Sequence, residues 1–163
     1  MSFTSTTHSR ALKETLLEAR LQGIVLVAAA GNDSNATRHY PAAYHGVLAV
    51  ASVNSSNILS GFSDFGKYVD VCAPGEMIRS TFPTTMGDLS TGGYATWSGT
   101  SFATPFVAAE AAELAVRHPH WSANRVADRI VDTAISIDSL NPHYSHNLGA
   151  GLVDVITAVF GNH

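Results

Sequence analysis

Apolar residues recur at near-helical spacing through Ala11, Leu12, Leu16, Ala19 and Leu21, with Lys13, Glu14, Glu18 and Arg20 on the remaining faces. This pattern predicts an amphipathic helix with Ser9 as N-cap and Gly23 as its stop. Residues 24–30 (Ile-Val-Leu-Val-Ala-Ala-Ala) are then apolar without a break, and β-branched residues dominate the first half. A strand that is apolar on both faces, directly after a helix, predicts a parallel sheet covered by helices. It ends in Gly31-Asn32-Asp33, a turn at the carboxyl end of a strand, where open α/β sheets bind ligands. Shorter strands are expected at 47–53, 68–72 and 77–81, separated by Gly, Pro, Asn and Ser turns. Residues 83–94 hold three Gly and read as an exposed loop or hairpin. Residues 97–105 form a Gly/Ser/Thr turn feeding an Ala-rich helix, with Pro105 expected in its first turn. Two further helices are predicted, at 123–133 behind the cap Ser122 and at 153–159. No repeat or linker interrupts the chain, so residues 1–163 read as one unit.

Composition narrows the classes. The 163 residues are 45% hydrophobic and 13% charged, too apolar and too weakly charged for disorder. Nine Lys and Arg against thirteen Asp and Glu, with no basic run, argue against nucleic-acid binding. No apolar stretch approaches the roughly 18 residues that span a bilayer, so no membrane partner is expected. The first residues lack the basic and apolar regions of a signal peptide. Cys72 stands alone and cannot form an intramolecular disulfide.

Two polar residues stand where chemistry could occur. Ser101 opens the Ala-rich helix behind Gly99 and Thr100, where free N–H groups and the positive dipole end converge. Asn32 lies on the turn after the apolar strand and could add a second donor, making an oxyanion hole beside a serine nucleophile. Ser and Asn are also the favoured residues of ordinary N-caps and turns. The window is not a G-x-S-x-G nucleophile elbow, because Ala103 stands where the second Gly would be.

Gly99-Thr100-Ser101-Phe102-Ala103-Thr104-Pro105 resembles the G-T-S-x-A-[ST]-P signature of subtilisin-like serine proteases, and Ala28-Ala29-Ala30-Gly31-Asn32 resembles their A-A-A-G-N segment. Tyr40-Pro41-Ala42, residues 47–50, Phe62-Ser63, residues 69–75, residues 118–121 and Gly151-Leu152-Val153 follow in the same family order. The resemblance covers essentially the whole chain. It implies a three-layer α/β fold with a mostly parallel sheet lacking the family's N-terminal strands, as the C-terminal part of a subtilisin-like peptidase domain. By the same resemblance Ser101 is the acyl-forming nucleophile and Asn32 the side-chain donor to the oxyanion. Ser2, Phe3 and Thr4 would bind substrate backbone as an added strand. Ala29, Ala30 and Gly31 would wall the pocket for the residue preceding the scissile bond, and the Tyr40–Pro41 bond would be cis. A polypeptide substrate follows, and no cofactor is required. Some members carry a weak cation site, for calcium or a monovalent ion, corresponding to the carbonyls of Ala42, Tyr44 and Val47 with Asp70. A solvent-facing strand residue is an equal reading of Asp70.

The family's Asp and His precede the Asn segment. Here residues 1–31 contain one His, His8, and no Asp. His8 lies in Thr6-Thr7-His8-Ser9, unlike the family's His context, and His39, His45, His118, His120, His143, His146 and His163 read as surface or loop residues. The chain is therefore expected to be inactive alone, and a complementary chain carrying the Asp and His is one expected partner. Met1 corresponds to a Met commonly internal in the family. The alternative is a non-catalytic remnant of the same fold, acting as a binding or structural module. Thr4 and Ser5 replace a usual Gly pair, Phe106 replaces a common His and Ala109 a usual Gly. Glu110 and Glu113 interrupt a helix that is normally buried, and a buried carboxylate needs a partner or a raised pKa. Either that face is exposed without the N-terminal half, or these Glu find basic partners such as Arg117 or Arg125. Without the N-terminal strands, an exposed sheet edge and an apolar patch are expected.

Overall fold

The computed structural model describes residues 1–83 and 93–161. Helix α1 (Arg10–Leu21) begins where Ser9 Oγ accepts from the Leu12 N–H at 3.3 Å, and Gly23, at φ +85°, turns the chain after it. Strands β1 (Leu26–Ala29), β2 (Val47–Val53) and β3 (Val71–Pro74) form a parallel sheet in that order. Ala28 stands opposite Ala49, and Val50 opposite Val71. Every residue of β1 and β2 is buried, because helices cover both faces of the sheet.

Alternation along the strands divides the core. Val27, Leu48, Val50 and Val71 pack with Ala103, Val107 and Leu114 of α2 (Thr100–Arg117), Val126 and Ile130 of α3 (Ala123–Thr133) and Val159 of α4 (Val155–Phe160). Leu26, Ala28, Val47 and Ala49 face the other way, onto Leu16 of α1, Ala42 and Tyr44. This is the three-layer α/β arrangement with its parallel sheet. No helix among the described residues is long and apolar enough to cross a membrane.

Some boundaries differ from the sequence pattern. The third strand runs over 71–74 rather than 68–72, because Val69 N–H closes a turn on the Gly66 carbonyl at 3.1 Å. Strand β4 (Ile78–Thr81) pairs antiparallel with a strand the pattern did not mark, β5 (Tyr94–Trp97), Ile78 opposite Trp97. Of the expected loop at 83–94, residues 84–92 lie outside the described residues, as does His163. Helix α2 starts at Thr100, so Pro105 lies inside it and not in its first turn. Proline cannot donate to the carbonyl four residues back, that of Ser101. The Ser2 hydroxyl donates there instead, at 3.2 Å.

The outer edge of β1 meets the first residue, whose ammonium donates to the Val27 carbonyl at 2.6 Å and whose carbonyl accepts from Ala29 N–H at 3.1 Å. Large apolar side chains stand exposed on α1 (Leu17, Leu21) and on the outer face of α2 (Phe106, Val116). Helix α2 is thus buried along one face only.

Candidate active site

Two loops bring the site together. The turn after β1 carries Asn32, and the opening of α2 carries Thr100 and Ser101. Ala30 and Gly31 are held where the strand ends: Tyr68 Oη donates to the Ala30 carbonyl at 3.1 Å, and Asp64 N–H to the Gly31 carbonyl at 3.0 Å. Gly31 adopts φ +129°, a conformation that L side chains rarely take. A Cβ there would overlap a carboxylate oxygen of Asp64 and stand 2.8 Å from His39 Nδ1.

Beyond Gly31, the Asn32 side chain is fixed by one residue. Its Oδ1 accepts from Thr100 N–H at 2.9 Å and from Thr100 Oγ1–H at 3.0 Å. With the oxygen engaged on the helix, the Nδ2 group is left as a donor on an exposed residue. A point one Cβ away from Gly99 lies 3.7 Å from Asn32 Nδ2 and 3.8 Å from Ser101 N. Two N–H donors therefore border the same small space. The backbone N–H of Ser101 finds no acceptor among the described residues, as expected within the first turn of a helix.

Ser101 Oγ donates to the Ser2 carbonyl at 3.3 Å, while Ser2 Oγ donates to the Ser101 carbonyl at 3.2 Å. The extended residues Ser2, Phe3 and Thr4 are exposed beside the serine, with Phe3 55% accessible. Ser5 then bridges to Tyr40 through reciprocal backbone bonds of 2.9 and 2.8 Å. Ala29 and Ala30 are buried in the strand, and the Tyr40–Pro41 bond is cis.

No imidazole is hydrogen-bonded to Ser101 among the described residues. His8 packs edge-on against Tyr40 and Tyr44, with ring centroids 5.4 and 5.3 Å away. His118 stacks on Trp121 at 3.9 Å. Of the reading of His39 as a surface or loop residue, the loop part holds and the surface part is corrected: it is 4% exposed. Its ring is enclosed by Asp33, Asp64 and Gly31, a burial that its place in a polar segment does not advertise.

Asp70 is not a solvent-facing strand residue. It precedes β3, and its Oδ2 accepts from Ala49 N–H at 2.8 Å. Burial pushes its carboxyl up, against the opposing pull of the Ala49 N–H and His45. The Tyr44 carbonyl accepts from Val47 N–H at 3.2 Å. A cleft of about 400 Å³ takes in Val47 and Asp70 but neither Ala42 nor Tyr44.

The two glutamates of α2 part company. Glu113 is exposed and pairs with Arg117 at 2.7 Å. Glu110 is 1% exposed and neither carboxylate oxygen is hydrogen-bonded among the described residues, so neither Arg117 nor Arg125 reaches it. Burial, then the charge of Asp154, raises its pKa to about 7.

The fold brings a strand-end asparagine to a helix-start serine, and comparison with known proteins gives the family. The chain belongs to the subtilase family, whose family model matches residues 1–151. It is 41% identical over 162 residues to subtilisin NAT of Bacillus subtilis subsp. natto and to a subtilisin of Bacillus pumilus. Each match covers 97% of this chain, but 39% and 54% of those relatives. Among solved structures it resembles a protease from Pseudoalteromonas arctica, with a TM-score of 0.83 and 27% identity over 96% of this chain and 48% of that one. The self-cleaved protease domain of PatA superposes with a TM-score of 0.80 and 30% identity, over 98% of this chain and 59% of that one. The chain thus spans about half the length of the relatives it matches.

Proposed function

We propose that residues 1–163 supply the nucleophile and oxyanion hole of a serine endopeptidase site, whose base and orienting carboxylate lie outside them. Ser101 Oγ attacks the scissile carbonyl and forms the acyl-enzyme. Asn32 Nδ2–H and the Ser101 N–H stabilise the oxyanion of the tetrahedral intermediate. Residues 2–4 offer their backbone to the substrate as an added strand, and Ala29, Ala30 and Gly31 wall the pocket for the side chain before the scissile bond. The observation that carries this reading is the space beside Gly99, bordered by both Asn32 Nδ2 and Ser101 N. Acyl transfer of this kind requires no cofactor.

The nucleophile's proton must leave as the bond to carbon forms, and a His base ordinarily takes it and returns it to the leaving amine. Residues 1–31 hold no Asp, and the Ser101 hydroxyl rests on a carbonyl rather than on a base. A neutral hydroxyl without a base is a weak nucleophile. In subtilisin, the reference case for this effect, loss of the His alone costs about 2 × 10⁶ in kcat. The isolated chain accordingly hydrolyses peptides very slowly.

The experiment is complementation. The chain is mixed with a separately produced polypeptide bearing the family's Asp and His segments, and cleavage of an unstructured protein substrate is followed. Activity that needs both components and disappears in Ser101→Ala supports the proposal. No activity under conditions where the two components associate favours the second reading, a subtilase-fold binding module. The engagement of Ser101 Oγ by the Ser2 carbonyl is the observation behind that second reading.

A further inference from the structure

We propose that Asp33, His39 and Asp64 form a binding site for a divalent transition-metal ion of the zinc type, next to the turn that carries Asn32. The three residues come from two connections: Asp33 and His39 from the one between β1 and β2, at the turn after β1 and just before Tyr40–Pro41, and Asp64 from the loop between β2 and β3. Their ligand atoms all lie within 4.8 Å of one another. His39 Nε2 is 3.4 Å from Asp33 Oδ2 and 3.7 Å from Asp64 Oδ2. These separations exceed the roughly 2.7–3.2 Å of an N–H···O hydrogen bond. They suit donors arranged tetrahedrally about an ion at about 2.0–2.1 Å, for which neighbouring ligands stand roughly 3.3 Å apart.

Burial supplies the independent argument. His39 is 4% exposed and neither ring nitrogen has a hydrogen-bond partner among the described residues; Asp64 is fully buried and its Oδ2 is likewise unpartnered among them. Buried polar atoms are almost always satisfied, so the orphaned Asp64 Oδ2 and the orphaned His39 Nε2 that faces it at 3.7 Å call for a ligand. The other Asp64 oxygen is occupied, accepting from Asp33 N–H at 2.9 Å and Asn35 N–H at 3.0 Å, which aims Oδ2 at the cluster. Gly31 permits this approach, since any side chain there would displace the carboxylate and the imidazole. The negative charge gathered here is felt by Tyr68, whose phenol is pushed up by burial first and then by Asp64 and Asp33.

The donor set chooses the metal. Calcium and magnesium take oxygen ligands, whereas one imidazole with two carboxylates suits zinc and its first-row neighbours. Asp33 is 62% exposed at its side chain, so the ion enters past an accessible carboxylate and keeps an open coordination position. Bound there, it would tie the Asn32 turn to the later part of the same connection and to the loop between β2 and β3. The binding itself does not depend on the catalytic reading of Asn32 or Ser101.

The test is titration of the metal-stripped chain with zinc chloride, read by competition with a chromophoric chelator and by thermal unfolding, with cobalt(II) as a spectroscopic probe. One equivalent binds, Tm rises by roughly 5 °C at hundredfold excess over Kd, and cobalt gives the intense visible absorption of a tetrahedral site. His39→Gln and Asp64→Asn each weaken binding at least tenfold. Asp33→Asn, at a side chain that is 62% exposed, does the same and guards against a trivial loss of fold. His118→Ala leaves binding unchanged. Absence of saturable zinc binding, equal binding in Asp33→Asn and His39→Gln to that of the unaltered chain, or calcium bound as tightly as zinc would each overturn the assignment.

Discussion

Asn32 and Thr100, 68 positions apart in sequence, are joined by two hydrogen bonds to one oxygen: Thr100 N–H and Thr100 Oγ1–H both reach Asn32 Oδ1. This pairing decides which end of the carboxamide faces outward. With the oxygen held on the helix, the amide nitrogen is turned to the space beside Gly99. Thr100→Val removes one of the two anchors while keeping the shape. The expected cost is about 1 kcal/mol, the net worth of one hydrogen bond, measured by urea unfolding. Unchanged stability would mean that the hydroxyl contributes nothing to holding Asn32.

Gly31 and Gly23 both have positive φ but differ in surroundings. At Gly23, nothing among the described residues lies within 4 Å of an added Cβ. Gly23→Ala should therefore cost only the left-handed strain, about 1–2 kcal/mol. At Gly31 the added atom meets Asp64 and His39 as well. Gly31→Ala should cost more than about 3 kcal/mol, or prevent folding, as judged by circular dichroism and denaturant midpoints. Comparable effects of the two would contradict the packing described around Gly31.

Glu110 gives a pH dependence whose sign follows from its burial. Its pKa is raised from 4.5 to about 7 in the folded state, so between those values the native chain binds more protons than the unfolded one. Its contribution to stability is then greatest below about pH 4.5 and is lost as pH rises through 7. Glu110→Gln should be nearly neutral at pH 4 and stabilising at pH 8, by as much as about 3 kcal/mol. A difference between the two proteins that does not change with pH would show that the carboxylate is solvated.

Much of this fold is legible in the pattern of residues. The unbroken run at 24–30 announces a strand covered on both faces, and β1 is buried throughout. Ser9 and Ser122 cap the helices that follow them. What the pattern does not show depends on contacts distant in sequence. Tyr94 to Trp97 carry little strand signal of their own and become β5 by pairing with β4. Local pattern puts the start of α2 near its proline, whereas tertiary bonds from Asn32 and Ser2 secure it at Thr100. His39 sits among Thr, Arg and Tyr, so only the fold buries it against Asp64. The serine and asparagine motifs are readable because each is contiguous. Their approach to a common space is not, since it needs a strand end and a helix start to meet.

Cys72 illustrates how burial governs reactivity. Its thiol is fully buried, its Sγ contacts the Leu148 carbonyl at 3.5 Å, and burial followed by the charge of Asp138 pushes its pKa up to about 12. The thiolate is the reactive form, so iodoacetamide at pH 8 should leave the folded chain unmodified and label it promptly in urea. Mass spectrometry reads both states. Rapid labelling of the native protein would mean that the core around Cys72, Val53 and Leu148 opens readily.

The central claim, that Asn32 and Ser101 serve one oxyanion, is tested most directly by Asn32→Asp in the complemented protein, followed with a fluorophosphonate probe. Aspartate keeps the oxygen that Thr100 holds but loses the N–H donor, so the fold and the anchoring bonds persist. The account predicts that labelling of Ser101 slows by about 10²–10³, the cost known for removing this donor in subtilisin itself. Labelling at the unaltered rate in Asn32→Asp, or labelling that survives Ser101→Ala, would contradict it.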